Sequence, residues 1–233
     1  MKTWQKYAAE VFGTFMLVGI GTGAILGIKQ AGEPVIIGVS LAFGLALITA
    51  LYSLARVSGG HFNPVVTLAM FLDRRIGWTD SVGYVISQAL GAFLASGVFA
   101  IVLSRADVAA TATQVSAAIS EFEGFVAEAV FTLIFVFAIL VLSKSKAHTK
   151  FLGMGAALAA VHMLGIPFTG ASVNPARSFA PALVGDAWSG FWVYVVGPAV
   201  GAILAWFLYK VIVQGDTDFT DDYSEIKGAA ITT

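Results

Sequence analysis

No cysteine occurs in the 233 residues, so disulfides and thiolate-ligated metals are excluded. Charge is nearly as scarce. Asp, Glu, Lys and Arg make up 12% of the chain, against about 25% in an ordinary soluble domain. Polar groups are therefore too few to coat a water-exposed surface. The net charge of −1 gives no electrostatic footprint for nucleic acid. Histidine occurs at His61, His148 and His162 alone, and neither these nor the carboxylates stand at a metal-ligand spacing such as His-Glu-x-x-His. No metal site, cofactor or enzyme activity is expected.

What fills the chain is apolar: 58% hydrophobic residues and a mean hydropathy of +0.86. Residues 34–55 (PVIIGVSLAFGLALITALYSLA) and 82–103 (VGYVISQALGAFLASGVFAIVL) each run 22 residues without Asp, Glu, Lys or Arg. A bilayer core of about 30 Å takes about 20 helical residues to cross. This is the composition of an integral membrane protein. Lys2 and Lys6 precede an apolar run that imitates a signal peptide. That run continues to about residue 28, too long for a cleavable core, and no Ala-x-Ala site closes it. It reads as the first span.

Six spans are expected, at about 7–28, 34–55, 82–103, 122–143, 150–168 and 189–213. An even number leaves both termini on one side. Ten of the 13 Lys and Arg residues share that side and only Lys29 and Arg105 lie opposite, with Arg177 set aside. The termini should be cytoplasmic.

The two halves share short strings in one order. Ala9-Glu10 with Thr14 matches Ala127-Glu128 with Thr132, at an offset of 118. Asn63-Pro64 matches Asn174-Pro175 at an offset of 111, and Gly91-Ala-Phe-Leu-Ala matches Gly201-Ala-Ile-Leu-Ala at 110. One domain over 1–233 is expected, with repeats at about 5–103 and 121–213 and a disordered acidic cytoplasmic tail at 214–233. Three spans per repeat is an odd number, so the second copy inserts upside down and functional elements fall near the midplane.

Asn is a favoured helix N-cap, and Pro fits the first helical position because its missing N–H costs nothing there. Each Asn-Pro therefore starts a helix. From Asn63 the apolar run ends before Asp73-Arg74-Arg75, and from Asn174 before Gly185-Asp186. At about 1.5 Å per residue, such a helix reaches about 16 Å, half the hydrocarbon thickness. Two of opposite direction, meeting at their Asn ends, span together. The preceding segments, Ser58-Gly59-Gly60-His61-Phe62 and Gly170-Ala171-Ser172-Val173, then become extended chain at membrane depth. Irregular backbone is tolerated there only where it lines a watery cavity or is buried in protein, and its free carbonyls would form ladders of acceptors. Two surface loops with amphipathic helices are the alternative, against which the short helices lack a polar face.

Two boxes, Asn63-Pro64-Val65 and Asn174-Pro175-Ala176-Arg177-Ser178, in an inverted six-span repeat resemble the aquaporin family, closest to bacterial water channels. The resemblance covers about residues 5–213. It implies an all-α membrane fold with six transmembrane helices and two re-entrant half-helices, a homotetramer, and a location in the cell inner (plasma) membrane. Val65 departs from the family's usual Ala and should pack where the half-helices abut. The amides of Asn63 and Asn174 should be free to donate to one water at the pore centre, where two helix N-termini of roughly +0.5 charge each repel hydronium and cations. An Arg in hydrocarbon costs about 2.5–3.5 kcal/mol. The resemblance gives Arg177 a reason: it matches the selectivity-filter arginine, with Phe43, His162 and Ala171 as its companions. Glu10 and Glu128 match glutamates that support the re-entrant loops. For Glu10 the alternative is snorkelling at the cytoplasmic end, and a proton relay is the outside reading.

His162, Ser178 and Ala182 stand as in water-selective members, where a glycerol facilitator has a small residue and an Asp in place of the first two. The aromatic pair expected in the sixth span is incomplete at Tyr194-Val195, and Ala171 is smaller than the usual Thr or Cys. Water is the expected permeant, with glycerol or another small neutral solute as the alternative. A scaffolding role finds no docking motif in the tail, and secondary transport lacks midplane carboxylates for a coupling ion. His61 either lines the cytoplasmic mouth or tethers its loop, and His148 belongs to a solvated basic loop.

Overall fold

The computed structural model describes residues 2–31, 35–147 and 149–213, so the expectations for His148 and for the tail at 214–233 lie outside the described residues. Among the described residues the chain forms nine helices and no strand. Six are long and apolar enough to cross a membrane: α1 (Thr3–Ala31), α2 (Val35–Ser58), α4 (Trp78–Val102), α6 (Glu121–Leu142), α7 (Lys150–Thr169) and α9 (Val193–Ile212). Two half-length helices, α3 (Pro64–Leu72) and α8 (Pro175–Gly185), start at the Asn-Pro boxes, and α5 (Arg105–Ala109) is a single turn.

Boundaries differ from the hydropathy reading where polar residues serve the helix. α4 begins at Trp78 rather than 82 because Asp80 in its first turn receives the Lys6 Nζ at 3.0 Å and the Tyr7 hydroxyl at 3.2 Å. α9 begins at Val193 rather than 189, since the preceding residues turn, with Gly190 at φ +61°. α5 was not expected. Its signal is Ser104, which caps Asp107 N at 3.1 Å and donates to the Asp107 carboxylate at 2.6 Å.

The outer faces of the long helices stay apolar and uncovered. Leu45, Ile86, Leu94 and Phe207 are each 44–64% exposed, a surface that water penalises and lipid tails accept. Inside, α1 packs on α2 and α4, and α6 packs in the same way on α7 and α9. α2 and α7 join the two trios. α3 packs on α9 and α8 on α4, so each short helix rests on the third long helix of the other trio.

Small residues set the closest crossings. A Cβ added at Gly91 would meet the Val11 carbonyl at 2.2 Å, and one at Gly201 the Ala129 carbonyl at 2.3 Å. Both crossings therefore exclude any side chain.

Candidate functional site

α3 and α8 begin against each other near the centre of the bundle. Asn63 (φ −159°) and Asn174 (φ −152°) cap them from extended backbone. Asn63 Oδ1 accepts from Val65 N at 3.0 Å, and Asn174 Oδ1 from Ala176 N at 3.1 Å and Arg177 N at 3.4 Å. Since each oxygen faces an N–H, the amide orientation is fixed and Nδ2 is the outward donor. Asn63 Nδ2 donates to the Val173 carbonyl at 2.8 Å, and Asn174 Nδ2 to the Phe62 carbonyl at 3.0 Å. One N–H of each amide is thus committed across the pair rather than free, and one remains. Pro64 and Pro175 occupy the first helical turn, while Val65 and Ala176 are each 3% exposed within the packing.

The irregular segments before the caps, pore strands only in the sense of chain that joins no sheet, hold unusual backbone. Gly59, Gly60 and Phe62 have positive φ, as do Gly170, Ala171 and Val173. For Phe62, Ala171 and Val173 this costs on the order of 1–3 kcal/mol each and needs outside support. Two buried carboxylates give it. Glu10 Oε1 accepts from the Ser58 hydroxyl (2.6 Å) and His61 N (3.0 Å), and its Oε2 from Phe62 N (2.7 Å) and Gln88 Nε2 (2.8 Å). Glu128 Oε1 accepts from the Thr169 hydroxyl (2.7 Å) and Ser172 N (2.8 Å), and its Oε2 from Val173 N (2.9 Å).

A trans peptide points its carbonyl opposite to its N–H. Because the N–H groups of His61, Phe62, Ser172 and Val173 face the glutamates, the carbonyls of Gly60, His61, Ala171 and Ser172 face away from them. The same reasoning covers Gly59 and Gly170, whose following N–H groups bond Ser58 Oγ at 3.1 Å and Thr169 Oγ1 at 3.2 Å. Phe62 differs from its ladder neighbours, because its carbonyl is taken by Asn174.

These elements enclose a path. A cavity of about 210 Å³ is lined by Gly59, Gly60 and His61 with Phe135, Lys150 and Phe151. It shares Leu47, His61 and Phe135 with a narrow cavity of about 10 Å³. That is room for about one water. Polar groups from His61, Asn63, Ser172, Asn174, Arg177 and His162 line the narrow part, facing Leu17, Phe43, Leu47, Phe135 and Leu158. A molecule passing there meets hydrogen-bonding groups and hydrocarbon together. An ion stripped of its hydration shell would find too few replacements.

At the constriction, the Phe43 and His162 rings stack at 4.4 Å, and the Arg177 guanidinium lies 5.4 Å from the Phe43 centroid. His162 Nδ1 bonds the Leu158 carbonyl at 2.9 Å. A carbonyl only accepts, so Nδ1 carries the proton, and in the neutral ring Nε2 is then an acceptor. Arg177 Nη1 donates to the Thr111 carbonyl at 3.2 Å, and its Nε has no partner among the described residues. Ala171, expected as the fourth member, is fully buried and is not among the residues lining the narrow cavity. Its methyl faces Gly165 so closely that a Cβ there would come within 2.9 Å. His61 lines both cavities and its Nδ1 bonds Thr67 Oγ1 at 3.0 Å.

Sequence reasoning placed Ser58 in extended chain, whereas it closes α2 and donates to Glu10, and it missed Thr169, Gln88, Thr111 and Thr113. Ser58 and Thr169 stand at the same offset of 111 as the Asn residues, so the repeat held their signal. Thr111 and Thr113 lie in an irregular segment where no periodicity marks them.

The family model described as "Major intrinsic protein" matches residues 1–209. Glycerol uptake facilitator protein-like 6 of Lactiplantibacillus plantarum is 41% identical over 219 residues, which cover 91% of this chain and all of that protein. Aquaporin-4 of Mus musculus is 36% identical over 92% of this chain and 69% of its own length. Among solved structures, the aquaglyceroporin from Plasmodium falciparum superposes with a TM-score of 0.81 at 23% identity, covering 91% of this chain and 97% of that one, a likeness of fold.

Proposed function

The chain belongs to the major intrinsic protein family, and from that premise we propose that it is a passive water channel passing water in single file. One observation carries the reading. The narrow cavity of about 10 Å³ has Phe43, His162 and Arg177 in its wall, and its volume is room for about one water. His162 Nε2 accepts, while Arg177 and the remaining N–H of each Asn donate, so a water exchanges bulk hydrogen bonds for wall contacts. Two opposed helix N-termini, each roughly +0.5 charge, together with Arg177 make the centre electropositive and repel hydronium and metal ions. The assembly is a homotetramer in the cell inner membrane with one pore per subunit and cytoplasmic termini, and Arg177 marks the outer end.

Stopped-flow light scattering on proteoliposomes tests this. Osmotic shrinkage should exceed that of empty vesicles severalfold while glycerol uptake does not; well-folded protein that shrinks vesicles no faster than lipid alone would overturn it. Arg177→Val with His162→Ala should admit larger solutes, and unchanged solute selectivity in that double variant would count against this filter.

The second reading is a facilitator of glycerol or another small neutral solute. The name of the bacterial relative favours it. On that reading glycerol flux matches water flux and Phe43→Ala changes little.

A further inference from the structure

The two repeats hold their pore strands by the same chemistry up to one point, where they diverge. In the first, the His61 ring bonds the Thr67 hydroxyl (3.0 Å) inside α3, and Gln88 of α4 donates to that hydroxyl at 2.9 Å. At the matching positions of the second, the Ser172 hydroxyl bonds the Ser178 hydroxyl (2.6 Å) inside α8. The position matching Gln88, at the offset of 110 that relates Gly91 to Gly201, is Pro198, whose side chain can donate nothing. The donor comes instead from outside the helices: Thr113 Oγ1 donates to Ser178 Oγ at 2.8 Å.

Thr113, Ser178 and Ser172 are 5%, 1% and 1% exposed, so no bulk water substitutes for a lost partner. Ser172 Oγ also donates to the Asn174 carbonyl at 3.1 Å. A hydroxyl chain thus runs from the segment between α5 and α6 to the strand that precedes the second Asn. Two residues earlier in that segment, the Thr111 carbonyl receives Arg177 Nη1. The segment is itself anchored on the end of α7, where Ser116 N donates to the Phe168 carbonyl at 2.8 Å.

We propose that Thr113 is a positioning residue for the constriction. Its hydroxyl locks the Ser178–Ser172 pair, which keeps the strand of residues 170–173 and the first turn of α8, and with it Arg177, at the spacing that sets the size of solute passed. Selectivity is then set partly by a connecting segment and not by pore-lining residues alone. The proposal rests on the reading of Phe43, His162 and Arg177 as the filter. It does not depend on whether the smallest excluded solute is glycerol or something larger.

The test uses the full chain in proteoliposomes with a graded series of neutral solutes: water, urea, glycerol and erythritol. Thr113→Val keeps the shape and removes the donor, Thr113→Ser keeps the donor, and Ser178→Ala breaks the same link from the other side. Thr113→Val and Ser178→Ala should each raise the permeability of the first solute that the parent excludes, relative to water, by about threefold or more. Thr113→Ser should restore the parent ratio, which a merely structural role would not require. If Thr113→Val fails to fold, Ser178→Ala and Thr113→Ser carry the comparison. An unchanged cut-off in the folded variants, or an equal shift in Thr113→Ser, overturns the proposal. Failure of the water-channel reading shows separately, in the parent's own solute series.

Discussion

Glu128→Gln removes a charge and almost no volume, and the hydrogen bonds around it allow the outcome to be worked. The carboxylate accepts three donors, Thr169 Oγ1 and Ser172 N on one oxygen and Val173 N on the other. Glutamine has one acceptor oxygen. Its best orientation keeps the first two bonds and turns its NH₂ against the Val173 N–H. An unpaired buried donor costs about 1–3 kcal/mol, and each retained bond loses about 1 kcal/mol when its acceptor is no longer ionised. Relief of the charge's own burial offsets part of this, leaving about 2 kcal/mol of net destabilisation. The functional effect should be larger, because Val173 is held at φ +44° and that strain is released once its N–H has no acceptor. Water permeability per folded molecule should fall about fivefold or more, alongside a lower melting temperature in detergent. Glu10→Gln should do at least as much, since Glu10 accepts four donors. Glu123→Gln, at the exposed capping box that starts α6, should change neither quantity. Glu128→Gln and Glu10→Gln with parental permeability and melting would refute the claim that these carboxylates hold the pore strands.

Two further outcomes follow from the packing and the charge pattern. Gly91→Ala and Gly201→Ala force the crossings of α4 with α1 and α9 with α6 apart, and each should cost about 1–3 kcal/mol in detergent melting, whereas Gly97→Ala, which meets nothing within 4 Å, should not. Burial alone would raise Asp73 at the end of α3, but Lys210, 2.6 Å away, and Arg75 outweigh it and hold the carboxyl below its ordinary value of 3.8. Its stabilising effect is therefore full above that value and lost as pH falls through the lower folded one, so melting scans between pH 6 and 3 should show an acid limb that Asp73→Asn flattens.

The architecture was legible because its main signals are local. Charge-free runs, Asn-Pro pairs and strings repeated at nearly constant offsets need no knowledge of what packs on what. The same holds for Glu10 and Glu128, since a carboxylate inside an apolar run needs donors and the loops supply them. The Asn amides were legible in part. Capping follows from sequence, but the bond from each amide to the opposite strand depends on how two segments 111 residues apart are brought together. Thr111, Thr113 and Gln88 gave no signal for a related reason. A hydroxyl in an irregular segment or a polar residue on one apolar helix acquires its role only from the partner that tertiary packing brings to it. Ala171 illustrates the converse, for its position was read from resemblance while its methyl faces Gly165 and leaves Phe43, His162 and Arg177 to form the narrow wall.

The exchange between Asn63 with Val173 and Asn174 with Phe62 is self-complementary. Each half gives one amide donor and one strand carbonyl, and receives the same two groups at the same positions. That is the contact pattern of an isologous interface between identical subunits, enclosed here within one polypeptide. Neither half satisfies its own central groups, so the conduit has no half-built form. In that respect the chain has the geometry of a covalently joined dimer whose two halves are not identical: Gln88 donates to Thr67 in one, and Thr113 donates to Ser178 in the other.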